Sequence, residues 1–373
     1  MTIIFMGLLI LLLIALQNYI YQRYWDKGLT VNIKFSAKEA FEGDKLHLTQ
    51  ELTNRKFLPL PWLFLNFKMS GNLVFTEDKK HDEELNETQD GENQNELFSA
   101  MMYQRVRRQV AFICNKRGIY RFDRVNLRAS DLLHTKQLSK DFKSTNQLVI
   151  FPKIIDTSEL ELLYKKMDAE ILSHQLINPD PFEFRGIREY QPTDPAHTVN
   201  FKATAISQQL MVNVHASISS KRLNIILNLE PYTAHPDREL YEHSIRLAAS
   251  IAEHYIYDNV NVAFATNGRD IASRETISMR GGASTAHLYS IYESLARIDL
   301  TQKITPISEY INNIIDYEAI YLIISACHKE DLLDSLDNLR SRSGTVFTII
   351  PTFNEADIKC KRTGHISIWE VKM

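Results

Sequence analysis

The chain has 373 residues, of which 44% are apolar and 24% are charged, and its formal net charge is −3. This length and composition predict a globular protein of at least two domains, and the slightly negative charge excludes binding to nucleic acid through a general positive field. Three scattered cysteines, Cys114, Cys327 and Cys360, give no basis for a disulfide framework or a cysteine zinc site.

Residues 3–21 are the most apolar stretch of the chain, and residues 1–25 are the predicted transmembrane anchor. At about 1.5 Å per residue the stretch is about 28 Å long, which is close to the thickness of the bilayer core. A cleaved signal peptide is the alternative, but no Lys or Arg precedes the apolar run and no small-residue cleavage site follows it. The basic residues after the segment predict, by the positive-inside rule, that the soluble domains face the cytoplasm. They are Arg23, Lys27, Lys34 and Lys38.

Residues 29–152 alternate apolar and polar positions in short runs separated by turns, which predicts an antiparallel β-sandwich. Within this domain, residues 77–96 hold nine acidic residues and two lysines. Such a segment cannot bury enough apolar surface to offset its ordering entropy, so we expect a disordered loop, with an acidic docking tag as the alternative. Arg105, Arg107 and Arg108 predict a charged strand face, with phosphate binding as the alternative.

Residues 153–181 are the predicted linking helix, with Leu160, Leu163, Met167 and Ile171 facing inward. From residue 222 onward, continuous apolar strands alternate with helical patterns, which is typical of a parallel sheet covered on both faces. Residues 182–373 therefore predict a doubly wound α/β domain. Its expected strands are residues 222–230, 260–266, 319–325 and 346–351, with 365–371 as an edge, and its expected helices are residues 240–257, 285–298, 307–315 and 330–340.

The segment 182–214 opens this domain and mixes charges with apolar residues. Asp194 and Pro195 form a helix start signal, so we expect a helix with one buried apolar face. The residues of that face are Ala196, Val199, Ala203, Ile206 and Leu210. Charges so close to a core must pair, which predicts an interdomain joint. The charges are Arg185, Arg188, Glu189, Asp194 and Lys202.

The string G-x-R-E-Y-x-P-x-D-P, followed by N-F-K-A-T-A and L-M-V, resembles the signature of the bacterial domain-of-unknown-function 58 family. The signature residues that we expect at the joint are Gly186, Arg188, Glu189, Tyr190, Asp194, Asn200 and Lys202. The chain departs from the family pattern at Thr193, His197, Phe201 and Ile206. The sandwich resembles the same family at Arg117, Gly118, Tyr120 and Asp131, although Leu132-Leu133-His134 stands where the family has Pro-Phe-Gly.

The resemblance implies that the α/β part is a von Willebrand factor type A-like domain, whose metal site follows the first strand. In such sheets ligands bind beyond the carboxyl ends of the strands, here after Leu229, Thr266 and Ser325. Only Glu230 supplies an anionic oxygen there, so we expect no cofactor and a metal-free interaction loop, with a Mg²⁺ site at Glu230 as the alternative. The candidate contact residues are Asn228, Glu230, Tyr232, Ser325 and His328.

Catalytic motifs are missing from the sequence. It has no H-E-x-x-H pair, no G-x-S-x-G elbow, no phosphate-binding loop and no dinucleotide fingerprint. The glycines and hydroxyls of residues 281–285 predict a capped turn before a helix, with an anion site as the alternative. We therefore predict that the protein is not an enzyme.

A membrane-anchored scaffold or interaction protein is the predicted function, and the family resemblance implies a MoxR-type AAA+ ATPase as its partner in envelope or complex assembly. The lipid bilayer is the second expected partner, through the N-terminal helix. One alternative is a metal-dependent adhesion module or an uncharacterised enzyme, with Glu230 and Asp194 supplying carboxylates. Another is a surface-exposed adhesin, which requires the opposite orientation in the membrane.

Overall fold

The computed structural model describes residues 2–69, 74–75, 93–143, 146–177, 184–192, 194–215, 222–232, 237–312, 314, 319–343, 345–354 and 366–371. The chain divides into two compact units, Met1–Lys153 and Ile154–Met373.

The first unit begins with helix α1 (Thr2–Tyr24). The span Ile3–Tyr24 is long and apolar enough to cross a membrane, although a signal sequence meets the same criterion. Most of its apolar side chains are exposed, but Tyr21, near its end, and Trp25, just beyond it, are buried in the core of the following domain. The predicted apolar helix is confirmed, and its last turn belongs to the sandwich.

The β-sandwich consists of two sheets. One has the strand order β1-β3-β7-β5, and the other has the order β2-β10-β8-β4-β6 with β9 paired to β8. All neighbouring strands are antiparallel except β2 and β10, so the predicted antiparallel sandwich is confirmed apart from one parallel pair. The strands are β1 (Leu29–Phe35), β2 (Glu39–Phe41), β3 (Lys45–Asn54), β4 (Leu60–Met69), β5 (Val74–Phe75), β6 (Asn93–Ala100), β7 (Arg105–Ile113), β8 (Gly118–Ser130), β9 (Gln137–Phe142) and β10 (Gln147–Phe151).

The core of the sandwich lies between the two sheets, because alternate residues of each strand point inward. Leu48 and Phe112 from the first sheet and Leu65 and Leu127 from the second are almost fully buried. Burying side chains of this size stabilises the fold by about 1.5–3 kcal/mol each. The alternation that the sequence displays is therefore the pattern that builds this core.

Two predictions for the sandwich need comment. Asn93–Ala100 forms β6, so the end of the expected disordered loop is a strand, and residues 77–92 lie outside the described residues. On β7, Arg105, Arg107 and Arg108 are exposed, and Arg105 forms an ion pair with Glu51 at 3.0 Å.

The second unit contains a seven-stranded mixed sheet and a separate two-stranded sheet. The large sheet has the strand order β15-β14-β13-β17-β18-β19, with β16 paired to β14. Strands β14, β13, β17, β18 and β19 run parallel, whereas β15 and β16 are antiparallel to β14. The strands are β11 (Phe184–Glu189), β12 (Met211–His215), β13 (Arg222–Asn228), β14 (Asn261–Asp270), β15 (Thr276–Gly282), β16 (Ile298–Asp299), β17 (Ile320–Ser325), β18 (Val346–Thr352) and β19 (Ile366–Glu370).

Helices cover both faces of the large sheet, whereas α3 contacts β12 of the small sheet. The helices of this unit are α2 (Thr157–Ile177), α3 (Phe201–Ser207), α4 (Arg238–Tyr257), α5 (Thr285–Ala296), α6 (Ser308–Asn312) and α7 (Glu330–Ser343). Helices α4 and α5 pack together against the strands, whereas α6 and α7 form a separate core with Ile226, Tyr321 and Ile323. Every residue of β17 is buried, as expected for a strand covered on both sides. The sequence predicted the parallel strands and the helices α2, α4, α5, α6 and α7 but missed β15 and β16, so the sheet is mixed rather than parallel throughout.

Helix α2 packs against α4 within this unit. Leu160, Leu163 and Met167 are buried, as predicted, and the side chain of Ile171 lies outside the described residues. The ring of Tyr164 stacks on His254 of α4, with the ring centroids 3.9 Å apart.

The helix predicted after Pro195 is wrong in length and in burial. A 3₁₀ turn over Ala196–Thr198 comes first, and Asn200 then caps the separate helix α3. Ile206 and Leu210, which were expected in a core, are 78% and 53% exposed. The spacing of 3 and 4 residues was present, but Gln208 ends α3 in a left-handed conformation, so Leu210 lies beyond the helix.

Candidate functional site

The carboxyl ends of β13 and β17 lie side by side at the centre of the large sheet. Chain order reverses there, because β14 is added on one side of β13 and β17 on the other. Their last residues, Asn228 and Ser325, are paired in register. Open α/β sheets bind ligands in the crevice at such a switch point, so this edge is the candidate site.

Asn228 organises the loop after β13. Its side chain is fully buried, and its Nδ2 donates to the Oγ of Ser325 at 3.0 Å. Its Oδ1 accepts from the backbone N–H of Glu230 at 3.0 Å. The Ser325 hydroxyl in turn donates to the carbonyl oxygen of Cys327 at 2.7 Å. Both loops are therefore held by side chains from the strand ends. These buried side chains obtain the hydrogen-bond partners that buried polar groups require.

Asn267 of β14 joins the same network and was missed in the sequence. Its Nδ2 donates to Asn228 Oδ1 at 2.7 Å and to the carbonyl oxygen of Thr305 at 2.9 Å, and its Oδ1 accepts from the N–H of Leu229 at 2.9 Å. It is only 3% exposed. The available signal was a polar residue directly after Thr266, where the strand was expected to end.

Glu230 forms an ion pair at the rim of this edge. Its Oε1 lies 3.1 Å from the Nζ of Lys329, and the two side chains are 19% and 43% exposed. Lys329 was not among the predicted contact residues, although it directly follows His328 in the sequence.

The fit of Mg²⁺ to this site can be judged from the oxygens present. The carboxylate of Glu230 is paired with an ammonium group, and the oxygens of Asn228 and Ser325 take part in internal hydrogen bonds. A Mg²⁺ ion requires several free oxygen ligands in octahedral geometry. Within the described part of the chain, no group of three or more His, Cys, Asp or Glu residues is placed to hold a metal. These residues therefore do not fit the metal that the family resemblance implies.

Tyr232 and His328 form a stacked aromatic pair next to the ion pair. Their ring centroids are 3.9 Å apart, the rings are inclined by 25°, and Tyr232 is 45% exposed. Both ring nitrogens of His328 are buried and have no hydrogen-bond partner among the residues that the structure describes. The structure thus brings together all five predicted contact residues.

Burial shifts the pKa values of the two ionisable groups beneath this edge. It raises the pKa of the Cys327 thiol, and it raises the pKa of Tyr241 to about 12, with the nearby Cys327 and Glu230 adding to the second effect. Both groups are therefore neutral at physiological pH. A thiol reacts as a nucleophile through its thiolate, so Cys327 is chemically inert here.

The signature segment places its charges at a turn. Arg188 donates to both carboxylate oxygens of Asp194 at 2.7 Å, and Asp194 also accepts from the N–H of Gln191 at 2.8 Å. The Arg188 hydrogen bonds hold the pKa of Asp194 below its ordinary value and raise that of Arg188. The Arg188 side chain is 45% exposed, so this pair fixes the turn from the surface.

The other signature residues also serve the local fold. Asn200 caps α3 by accepting from the N–H of Ala203 at 2.9 Å, and it donates to Asn213 of β12 at 2.6 Å. Tyr190 is half-buried and donates its backbone N–H to Leu210 at 2.8 Å. Of the remaining three signature residues, Gly186 is half-buried, and Glu189 and Lys202 are exposed. Their place at an interdomain joint stays a prediction.

The glycine turn before α5 has a local explanation. Ser284 caps the helix by accepting from the N–H of His287 at 3.2 Å. A Cβ on Gly281 would lie 2.0 Å from the Oδ1 of Asn261, so a larger residue at this point of β15 would require the Asn261 side chain to move. The predicted capped turn is confirmed.

No family model matches this chain, and no curated protein matches it. Among solved structures, the CARDB domain of the PF1109 protein from Pyrococcus furiosus is 14% identical over 33% of this chain and 91% of its own, with a TM-score of 0.21. Trypsin-activated alpha-2-macroglobulin from Escherichia coli is 12% identical over 46% of this chain and 9% of its own, with a TM-score of 0.23. The sporulation control protein Spo0M from Bacillus subtilis is 8% identical over 44% of this chain and 58% of its own, with a TM-score of 0.19. Similarity at this level carries no argument about fold or function.

Proposed function

We propose that the protein is a membrane-anchored, non-enzymatic interaction protein whose contact surface is the edge formed by the loops after β13 and β17. The observation that carries this proposal is the convergence of two kinds of residue at one edge. The buried amides and hydroxyl of Asn228, Asn267 and Ser325 hold the loops, and the aromatic and charged groups of Tyr232 and Lys329 face outward. A rigid edge that presents an aromatic ring and a charge is suited to binding another protein.

Retention of α1 as a membrane anchor is supported by its last turn. Tyr21 and Trp25 are buried in the sandwich core, and the hydroxyl of Tyr21 donates to the carbonyl oxygen of Pro59 at 2.7 Å. Cleavage after the helix would remove Tyr21 from this core, and loss of an aromatic side chain of this kind costs about 3–5 kcal/mol. A removable signal peptide has no reason to contribute core residues.

The strand order supports a type A-like α/β domain of the domain-of-unknown-function 58 family. Counted in chain order along the main path, β15-β14-β13-β17-β18-β19 is the order 3-2-1-4-5-6, a doubly wound arrangement. On this proposal, a MoxR-type AAA+ ATPase binds the edge from the cytoplasmic side, where the basic residues after α1 orient the soluble domains.

The test is purification of the tagged full-length chain from gently solubilised native membranes, with the co-purifying proteins identified by mass spectrometry. We expect an AAA+ ATPase at a near-equal amount with the unchanged chain. The double variant Tyr232→Ala, Lys329→Glu removes the exposed ring and reverses the exposed charge, so it should lose this partner. Tyr257→Ala is the matched control, because Tyr257 is also exposed but lies at the end of α4.

Equal recovery of the ATPase with the double variant and with the control would place the contact elsewhere on the chain. Recovery of the chain alone, even after crosslinking, would remove the ATPase from the proposal. The melting temperature of each variant shows whether a loss of partner reflects a loss of fold.

A further inference from the structure

The C-terminal end of α1, residues 18–24, is fixed to one end of the sandwich. We call this end the root of the helix. The side-chain oxygen of Asn18 lies 3.1 Å from the hydroxyl oxygen of Thr135, and the hydroxyl of Tyr21 donates to the carbonyl oxygen of Pro59. The ammonium group of Lys56 donates to the carbonyl oxygen of Trp25, close to the helix end. The helix therefore leaves the sandwich from a defined place.

Strand register brings three loops to this same end. Leu29, the first residue of β1, pairs with Asn54 at the end of β3, so the loop of residues 55–59 lies there. Ala100 pairs with Leu60, which places residues 101–104 at the same end. Ser130 pairs with Trp62 and with Gln137, which adds residues 131–136. The three loops surround the point from which the helix departs.

These loops expose large apolar side chains. Phe57 and Tyr103 are each 71% exposed, and Leu133 is 53% exposed. Tyr103 also has a φ of 49°, a backbone conformation that bulky residues rarely adopt. We call the full set the collar. It consists of Phe57, Trp62, Met101, Met102, Tyr103, Leu132 and Leu133.

The distribution of exposed apolar groups on the sandwich is one-sided. Outside α1 and the collar, Leu97 in the middle of β6 is the one large apolar side chain exposed among the described residues of this unit. The described loops at the opposite end of the sandwich expose none. Scattered single residues need no explanation, but a set gathered around one feature indicates a binding surface.

The apolar surface of α1 decides which partner covers the collar. Its exposed apolar side chains continue to Leu16, two residues before Asn18 at the root. A bilayer that covers these side chains therefore extends to within about one helical turn of the root. The collar side chains, which surround the root, then lie at the level of the lipid headgroups.

Charge at this end fits the same partner. Arg55 and Lys136 are exposed on the collar loops, and Lys27 follows the helix. The carboxylate of Asp131 is buried and accepts from the hydroxyl of Thr135 at 2.5 Å and from the Lys136 N–H at 3.1 Å. The exposed rim is therefore basic, which favours anionic lipid phosphates.

We propose that the collar is a lipid-binding surface that enters the headgroup region of the bilayer crossed by α1. This inference rests on the proposed retention of α1 as an anchor. The collar fixes the sandwich against the membrane, with apolar side chains at the acyl boundary and basic side chains at the phosphates. Apolar groups of interfacial segments reach about 5–10 Å into this boundary, which is the depth expected here.

The test uses the full-length chain in vesicles of phosphatidylcholine and phosphatidylglycerol that contain lipids with a shallow doxyl quencher. A single environment-sensitive fluorophore is attached through Tyr103→Cys or Leu133→Cys. The buried thiols of Cys114 and Cys327 react poorly, and Cys360 is replaced by Ser. Leu97→Cys and Lys116→Cys are matched controls, since both are exposed positions of the same domain away from the collar. Leu9→Cys reports on the helix itself.

We expect severalfold stronger lipid quenching at residues 103 and 133 than at residues 97 and 116, with residue 9 quenched as well. Quenching at residue 9 but not at 103 and 133 overturns the collar and leaves the anchor in place. If residue 9 is not quenched, the anchor fails. A label at residue 103 that is shielded from water but not quenched by lipid means that a protein, such as a second copy of the chain, covers this surface, and the inference is wrong.

Discussion

Replacement of Asn267 by Leu is the sharpest test of the network that holds the candidate edge. The side chain is buried and forms three hydrogen bonds, of which those with the N–H of Leu229 and with Asn228 are buried. Leucine has a similar volume but no polar atom. The substitution therefore leaves the Leu229 N–H without a partner, at a cost of about 1–3 kcal/mol, and removes the bond to Thr305, worth about 1 kcal/mol.

The substitution should therefore lower the free energy of local opening of the loop after β13 by about 2–4 kcal/mol. Because 1.4 kcal/mol corresponds to a factor of ten, protection of the Leu229 amide against hydrogen exchange should fall at least about thirtyfold. The measurement is native-state exchange of the full-length chain, followed by mass spectrometry of peptides that cover residues 222–232. Protection in α2 should not change, which separates local opening from global unfolding.

Asn224→Leu is the matched control, because Asn224 lies on β13, the strand that leads into this loop, is half-buried and lines a cavity of about 210 Å³ rather than the network. The reasoning is refuted if the two variants exchange alike in this segment. In that case the hydrogen bonds of the Asn267 side-chain amide would not be what fixes the edge.

Three further predictions concern the turn, the metal and the anchor. Asp194 should titrate below its ordinary value, and Arg188→Leu should raise its pKa toward that value, as followed by NMR of the carboxyl group. Since a lowered carboxyl pKa stabilises the folded state above the unfolded value of 3.8, this contribution should be lost as the pH falls through the folded pKa. Millimolar Mg²⁺ should leave the melting temperature unchanged, because the carboxylate of Glu230 is occupied; a shift that Glu230→Ala abolishes would favour the metal-dependent alternative. Tyr21→Phe should destabilise the sandwich by about 1 kcal/mol through the lost bond to Pro59, and Tyr21→Ala by about 3–5 kcal/mol, in denaturant titrations. Equal effects of the two substitutions would mean that the ring of Tyr21 is not part of the core.

The central sheet was predictable because its signal is local. The apolar runs of β13, β17 and β18 are continuous, since strands covered on both faces carry no polar side. Ligands of such sheets bind beyond the carboxyl ends of the parallel strands. Recognition of the parallel strands is therefore enough to select the loops after residues 228 and 325. The meeting of Asn228 with Ser325 follows from topology, without any motif.

The partners of the candidate residues were not predictable in the same way. Lys329 pairs with Glu230 across two loops that are separated by about a hundred positions in the sequence, and Asn267 reaches the site from a third strand. Composition and spacing within one element do not show which residues of different elements come into contact. The same limit explains β15, an edge strand on which exposed and half-buried residues alternate weakly.

The signature segment illustrates a different failure. The spacing of Ala203 and Ile206 indicates one face of α3, but Leu210 lies beyond the end of the helix, and a pattern shows only that side chains share a side, not that another layer covers it. In this case the hydrogen bonds of Asn200 and the pair of Arg188 with Asp194 hold the segment together from its polar side. A fold that is fixed by polar bonds does not require its apolar face to be buried.

The collar shows why an end surface escapes sequence analysis altogether. Phe57, Tyr103 and Leu133 lie on loops, where no period applies, and each taken alone is an ordinary exposed residue. Strand register turns them into a set, because β3, β6 and β8 all finish at the end of the sandwich from which α1 departs. The exposed apolar side chains of α1 continue to Leu16, close to this end, so a bilayer that covers them reaches the collar. The apolar surface of the helix and the position of the collar are thus two independent reasons to place lipid at the same surface.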